Sequence, residues 1–242
     1  MQAIKYLVLI FLCGNISLGA QHQSVDSTRY KTSLLGSSVF SVGLMTVGAI
    51  INQSDFEKEL QVNLRNKVGN NYRTYIDDYI VFGPVAEMYL ADILGVSARN
   101  HWFDQSKNLF MVNLIGGLTT HALKIGFNKT RPSGGGHSFP SGHTSFAFAN
   151  AGVLYHEYKD TSPLLAYSGF GFATATGGLR MANNRHWLSD VLLGAGIGIL
   201  SAHIIYHFKP FKDYNPFLKT KNITLIPNVS FKEYGFYFAY RL

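Results

Sequence analysis

Apolar segments separated by polar breaks recur along the chain, at roughly Ser33–Ile51, Ile80–Gly95, Leu109–Phe127, Thr144–Tyr158, Pro163–Met181 and Leu188–Phe208. Their length and continuity predict helices. They are rich in Gly, Ala and Ser, which lets helices approach closely. Ile80–Gly95 carries Pro84, Glu87 and Asp92, and Thr144–Tyr158 is short for a bilayer span. Ionisable groups in such segments belong in a bundle interior. Residues 53–78 are polar and predict an amphipathic helix followed by a loop. The tail differs: Ile223–Phe231 and Tyr234–Arg241 hold strand-forming residues on either side of Lys232-Glu233, which predicts a β-hairpin.

The N-terminus has Lys5, an apolar run from Tyr6 to Cys13, and then the small residues Ser17, Gly19 and Ala20. This is the layout of a secretory signal peptide cleaved near Gly19 or Ala20; an uncleaved anchor helix is the alternative. The expected organisation is a leader over 1–20, an N-terminal helical region over 21–78, a helical core over 79–212 and a hairpin region over 213–242. Cys13 is the only cysteine, so cleavage would leave no disulfide and no thiolate metal site. Which side the 128–146 loop faces depends on which segments span. A peripheral or soluble helical bundle with no span after cleavage is a third option.

Composition sharpens this picture. The chain has 242 residues, 47% of them hydrophobic and only 14% charged, against about 25% charged in soluble domains. The deficit points to a membrane or exported protein. A net charge of +7 favours anionic partners. No basic cluster interleaved with exposed aromatics marks a nucleic-acid surface.

The candidate chemistry lies in three blocks. Lys124 and Arg131 are seven residues apart, two helical turns, and would share a face of a helix ending near Pro132. After the permissive Ser133–Gly136 run comes Phe139-Pro140-Ser141-Gly142-His143-Thr144. There the Ser141 hydroxyl and Gly142 amide can donate, and His143 falls near the start of the next helix, where backbone amides favour an anion. Third, Arg180 is followed by His186 and Asp190, whose i, i+4 spacing suits one helix face, with Asn183-Asn184 breaking the chain before it. Asp190 would hold Nδ1 of His186 and leave Nε2 outward. Each cation alone reads more often as an interfacial charge, and a lone His–Asp pair is structural more often than catalytic. His137 lies nearest the loop. The other histidines lack a partner pattern, and no metal motif is present.

Taken together, Lys124…Arg131-Pro132, Pro140-Ser141-Gly142-His143 and Arg180…His186…Asp190, in that order, resemble the type 2 phosphatidic acid phosphatase and vanadium haloperoxidase superfamily. The resemblance implies an all-α helical bundle, membrane-embedded or membrane-peripheral, here followed by a short hairpin. It implies Lys124, Arg131, Ser141, Gly142 and Arg180 binding phosphate. His186 would be the nucleophile, Asp190 its orienting partner and His143 the acid. No metal or cofactor is implied. Leu179 stands where the family often has a small residue. The expected activity is hydrolysis of lipid-linked phosphate monoesters or diphosphates through a phosphohistidine, at the periplasmic face of a Gram-negative envelope. Lipid A phosphate, undecaprenyl diphosphate and phosphatidate are the candidate substrates. A broad-specificity acid phosphatase and a vanadium haloperoxidase are the alternatives. Nothing in the resemblance accounts for residues 21–78 or the hairpin.

Overall fold

The computed structural model describes residues 34–212 and 214–217, and the backbone of 223–229 and 234–240. Chain contacts divide Met1–Thr32 from Ser33–Leu242. All described residues belong to the second unit, and the leader lies outside them. Its elements are α1 (Leu34–Ile51), α2 (Asp55–Val68), α3 (Asp77–Ile80), α4 (Gly83–Ile93), α5 (Trp102–Phe127), α6 (Gly142–Tyr158), α7 (Pro163–Ala182), α8 (Leu188–Phe208), β1 (Ile223–Val229) and β2 (Tyr234–Tyr240). Five of the expected apolar segments match a single helix each. The sixth, Ile80–Gly95, is split between α3 and α4, with Pro84 in the first turn of α4. Proline is tolerated there because the first-turn amides lack intrahelical acceptors anyway.

The centre of the bundle is α6, packed against α7 and α8, with α1 on α8 and α5 against both α6 and α8. Glycines on α8 make the close approaches possible. A Cβ at Gly194 or Gly198 would stand 2.6 Å from Ser141 O or 2.4 Å from Ser145 O of the α6 region, and one at Gly196 would stand 2.6 Å from Ser41 O of α1. The polar groups of α4 face inward, as lipid or core burial requires. Asp92 accepts from Tyr158 Oη at 2.8 Å and from Gln105 at 3.0 Å, and Glu87 accepts from Ser168 at 2.6 Å. Strands β1 and β2 pair antiparallel, with Ile223 opposite Tyr240 and Val229 opposite Tyr234. The expected hairpin is present over these described residues.

Candidate active site

The expected α5–loop–α6 geometry needs one correction. Helix α5 ends at Phe127, where Asn128 takes a left-handed conformation at φ 40°. Arg131 is thus on the loop and not on the helix face of Lys124. The Ser133–Gly136 run forms a tight reversal in which Arg131 N–H donates to Gly135 O at 2.9 Å and Gly134 N–H to Arg131 O at 3.0 Å. Gly134 and Gly135 have φ of 85° and 83°, which a side chain would strain. Lys124 Nζ ties the loop down by donating to His137 O at 2.8 Å.

Ser141 is the N-cap of α6. Its buried Oγ accepts from the Thr144 amide at 3.4 Å and the Thr144 hydroxyl at 2.8 Å. Gly142 and His143 therefore occupy the first turn, where the backbone amides lack intrahelical acceptors. The Ser141 N–H donates to Asp190 O at 2.9 Å, which stitches this turn to α8.

His186 and Asp190 meet, but not on a shared helix face. His186 lies two residues before α8. Asp190, in the first turn, accepts the Trp187 amide at 2.9 Å and the His186 Nδ1 proton at 3.2 Å through the same Oδ2. A carboxylate only accepts, so Nδ1 carries the proton and Nε2 keeps a lone pair. No described residue bonds Nε2. Burial lowers the His186 pKa to about 4, opposed by its hydrogen bond to Asp190. The imidazole is thus neutral and uncommitted at Nε2 near neutral pH.

Lys124 and Arg180 lie within electrostatic reach of this histidine, and Arg131 within reach of Lys124, Arg180 and Asp190. Burial and the charges of Arg180 and Arg185 push the Arg131 pKa down. Arg180 NH1 is held by Asp77 at 2.7 Å, with Asp78 at 3.5 Å, while its buried Nε has no partner among the described residues. His143 Nε2 donates to Asp78 at 3.0 Å. Burial, and then Arg180, lowers the His143 pKa, and Asp78 partly opposes this. The arrangement gathers fixed cations, a free imidazole nitrogen and a second imidazole around one spot, suited to an anion.

Several participants carried no sequence signal. Ser138 Oγ donates a short hydrogen bond to Asp190 Oδ2. Buried Lys129 donates to Asp190 Oδ1 at 3.1 Å, Glu57 at 2.8 Å and Ser189 at 2.7 Å. Helix α2 reaches the site with a polar buried face. Glu57 meets Lys129, Gln61 donates to Met181 O and Asn184, and Arg65 donates to Ala182 O at 2.7 Å. The last of these satisfies a carbonyl at the C-terminal end of α7. Asn183 clamps Asp77 and Thr74. Charged residues in a polar stretch read as solvated, so only their burial reveals them. Among the described residues no group of three or more His, Cys, Asp or Glu side chains is arranged to hold a metal ion.

A helical bundle with a cationic, paired-histidine site at the ends of its central helices is the class defined so far. Residues 106–214, which contain all of the candidate site positions, match the PAP2 superfamily. Over these residues the chain is similar to proteins of the PAP2 superfamily. Over 94 residues the chain is 46% identical to the lipid A 1-phosphatase of Porphyromonas gingivalis, covering 38% of this chain and 21% of that relative. It therefore spans about a fifth of the curated relative's length. The crystal structure of the transmembrane PAP2 type phosphatidylglycerolphosphate phosphatase from Bacillus subtilis has a TM-score of 0.53 at 18% identity, over 75% of this chain and 98% of that one. The crystal structure of Aquifex aeolicus LpxE has a TM-score of 0.45 at 23% identity, over 62% of this chain and 95% of that one.

Proposed function

We propose that the protein is a phosphatase acting on lipid-linked phosphate through a phosphohistidine intermediate, with lipid A phosphate the first substrate to test. The observation that carries this reading is His186. Its Nδ1 proton is fixed on Asp190, its Nε2 has no partner among the described residues, Lys124 and Arg180 act on it, and Arg131 lies within electrostatic reach of both cations and of Asp190. Nε2 attacks phosphorus while the bond to the leaving oxygen breaks. The three cations and the Gly142 amide hold the phosphoryl oxygens, whose charge positioning and electrostatics stabilise. Ser141 shapes that turn as the cap of α6. His143 gives its proton to the leaving alkoxide, with the leaving oxygen taking the place of Asp78 on Nε2. Water then attacks the phosphohistidine, returning its proton to His143 and releasing phosphate. The buried, unpartnered Nε of Arg180 is a donor that a bound phosphate oxygen would satisfy.

The lipid preference draws on the Porphyromonas gingivalis relative. It also draws on two helices, α5 and α8, long and apolar enough to cross a membrane. The leader pattern supports export to the periplasmic face. The test is phosphate release from lipid A, undecaprenyl diphosphate and phosphatidate by the purified protein. His186→Ala and His143→Ala should each lower kcat by at least about a hundredfold with unchanged thermal unfolding. Wild-type rates in either variant would sink the assignment.

A further inference from the structure

Two charged side chains are buried against the site and take no part in the steps above. Lys129 lies on the 128–141 loop and Glu57 in the first turn of α2, their side chains 5% and 1% exposed. The three ammonium protons of Lys129 have three acceptors: Glu57 Oε1 at 2.8 Å, Ser189 Oγ at 2.7 Å and Asp190 Oδ1 at 3.1 Å. The ammonium also stands 5.5 Å from the ring centres of Phe139 and Trp187, one from each histidine-bearing stretch. Glu57 is held in turn by the Gln53 amide and, at 3.4 Å, by the Ser189 amide in the first turn of α8.

Two consequences for Asp190 follow. Its Oδ2 receives His186 Nδ1, the Trp187 amide and Ser138 Oγ, while its Oδ1 receives Lys129. A carboxylate bonded through both oxygens cannot turn about its Cβ–Cγ bond, so Lys129 keeps Oδ2 on the histidine. The second consequence is one of charge. Lys129 and Asp190 by themselves would form a neutral pair, yet His186 becomes cationic when it is phosphorylated. With Glu57 added, two carboxylates and one ammonium leave a net negative charge beside it. Lys124 of α5 and Arg180 of α7 also reach His186, and both are cations.

We propose that Glu57 and Lys129 are positioning residues for the nucleophile: Lys129 fixes the carboxylate of Asp190, and Glu57 offsets the charge of Lys129 so that Asp190 keeps its attraction for His186. Helix α2 is then a working part of the active site, although it lies outside residues 106–214 that match the PAP2 superfamily. Both side chains act through Asp190 and neither is assigned a contact with substrate. A structural role alone would show only in stability, whereas this role also shows in the titration of His186. The inference rests on the phosphatase reading above.

The test is the pH dependence of kcat/KM of the purified full chain, on whichever of lipid A, undecaprenyl diphosphate and phosphatidate the wild type hydrolyses fastest. Assays are run at a temperature where thermal unfolding shows each variant folded. Lys129→Met removes a positive charge beside Asp190 and makes His186 a stronger base. Its rising limb should therefore move up from about 4 by at least about one pH unit. Glu57→Gln removes a negative charge, so its limb should not rise and its kcat should fall about tenfold. Lys129→Met/Glu57→Gln should return the limb to near the wild-type position, above that of Glu57→Gln. Its kcat should stay low, because Oδ1 of Asp190 has lost its partner. If Lys129→Met does not fold, Glu57→Gln and the double variant carry the test. A limb unmoved in Lys129→Met, single substitutions that shift it the same way, or a wild-type kcat in Glu57→Gln would overturn the positioning role while leaving the phosphatase reading in place. Absence of His186-dependent phosphate release from every substrate would remove both.

Discussion

At the scale of single residues, the site is set by who holds whom. Asp190 is fully buried and receives His186, Ser138, the Trp187 amide and Lys129 at once. Lys129 in turn neutralises Glu57. Replacing it by methionine would strand two buried carboxylates, a change that typically costs about 3–5 kcal/mol. Lys129→Met should therefore lower the unfolding temperature and reduce kcat, and Lys129→Met/Glu57→Gln should recover stability more than kcat. Circular dichroism melts and steady-state assays would check this. A Lys129→Met protein as stable as wild type would show that the triad is not coupled. The histidines predict a pH profile. The nucleophile must be neutral and the acid protonated, so kcat/KM should rise as His186 deprotonates near about 4 and fall as His143 deprotonates. Burial places that second limb below the ordinary imidazole value of 6.5. Asp78 holds the His143 pKa up, so Asp78→Asn should move the falling limb further toward acid. A limb that stays in place would show that Asp78 does not act on His143.

At the scale of elements, the small residues of α8 decide whether the site closes. Gly194 brings α8 against the Ser141 carbonyl, and Gly198 brings it against the α6 backbone at Ser145 and Ala149. Backbone atoms cannot move aside singly, so Gly198→Ala must separate α6 from α8 and pull His143 away from His186. Soluble yield and activity should both fall. Gly171→Ala, in open space on α7, should instead stabilise by about 0.5–1 kcal/mol, because alanine restricts the unfolded chain. Expression levels and melting temperatures of the two variants compare these directly. Helix α2 is an element of another kind, because it buries Glu57 and Gln61 and exposes Phe56 and Val62. Its interface with the site is a set of hydrogen bonds to the ends of α7 and α8, not an apolar stripe.

At the scale of the whole molecule, the two apolar helices play different parts. Of the membrane-length windows, that of α8 is 67% buried and that of α5 only 17%. Helix α8 is thus a core helix, whereas α5 leaves Phe110, Leu118 and Ile125 exposed, with α1 adding Phe40 and Ile50. Large apolar side chains exposed in this way are expected in contact with lipid. The protein should stay with membranes through a carbonate wash and leave them only with detergent, read by fractionation and immunoblot. Recovery in the carbonate supernatant would count against lipid contact.

The sequence by itself determined the helical elements and named the candidate site residues. Apolar continuity marks each segment, Asn183-Asn184 mark a break, and the three spaced blocks name Lys124, Arg131, Ser141, Gly142, His143, Arg180, His186 and Asp190 as candidates; the end of α5 at Asn128 rather than near Pro132 was not read from the chain. These are local signals, carried by spacing along the chain. Even the His186–Asp190 contact was legible, although its geometry is a helix cap and not a shared face. Only the tertiary structure decided which charges are buried together. Lys129, Glu57, Asp77, Asp78 and Ser138 look like solvated residues in a polar stretch. They become part of the site because α2, α3 and the 128–141 loop converge on the ends of α6, α7 and α8, and burial turns an ordinary surface charge into a fixed partner.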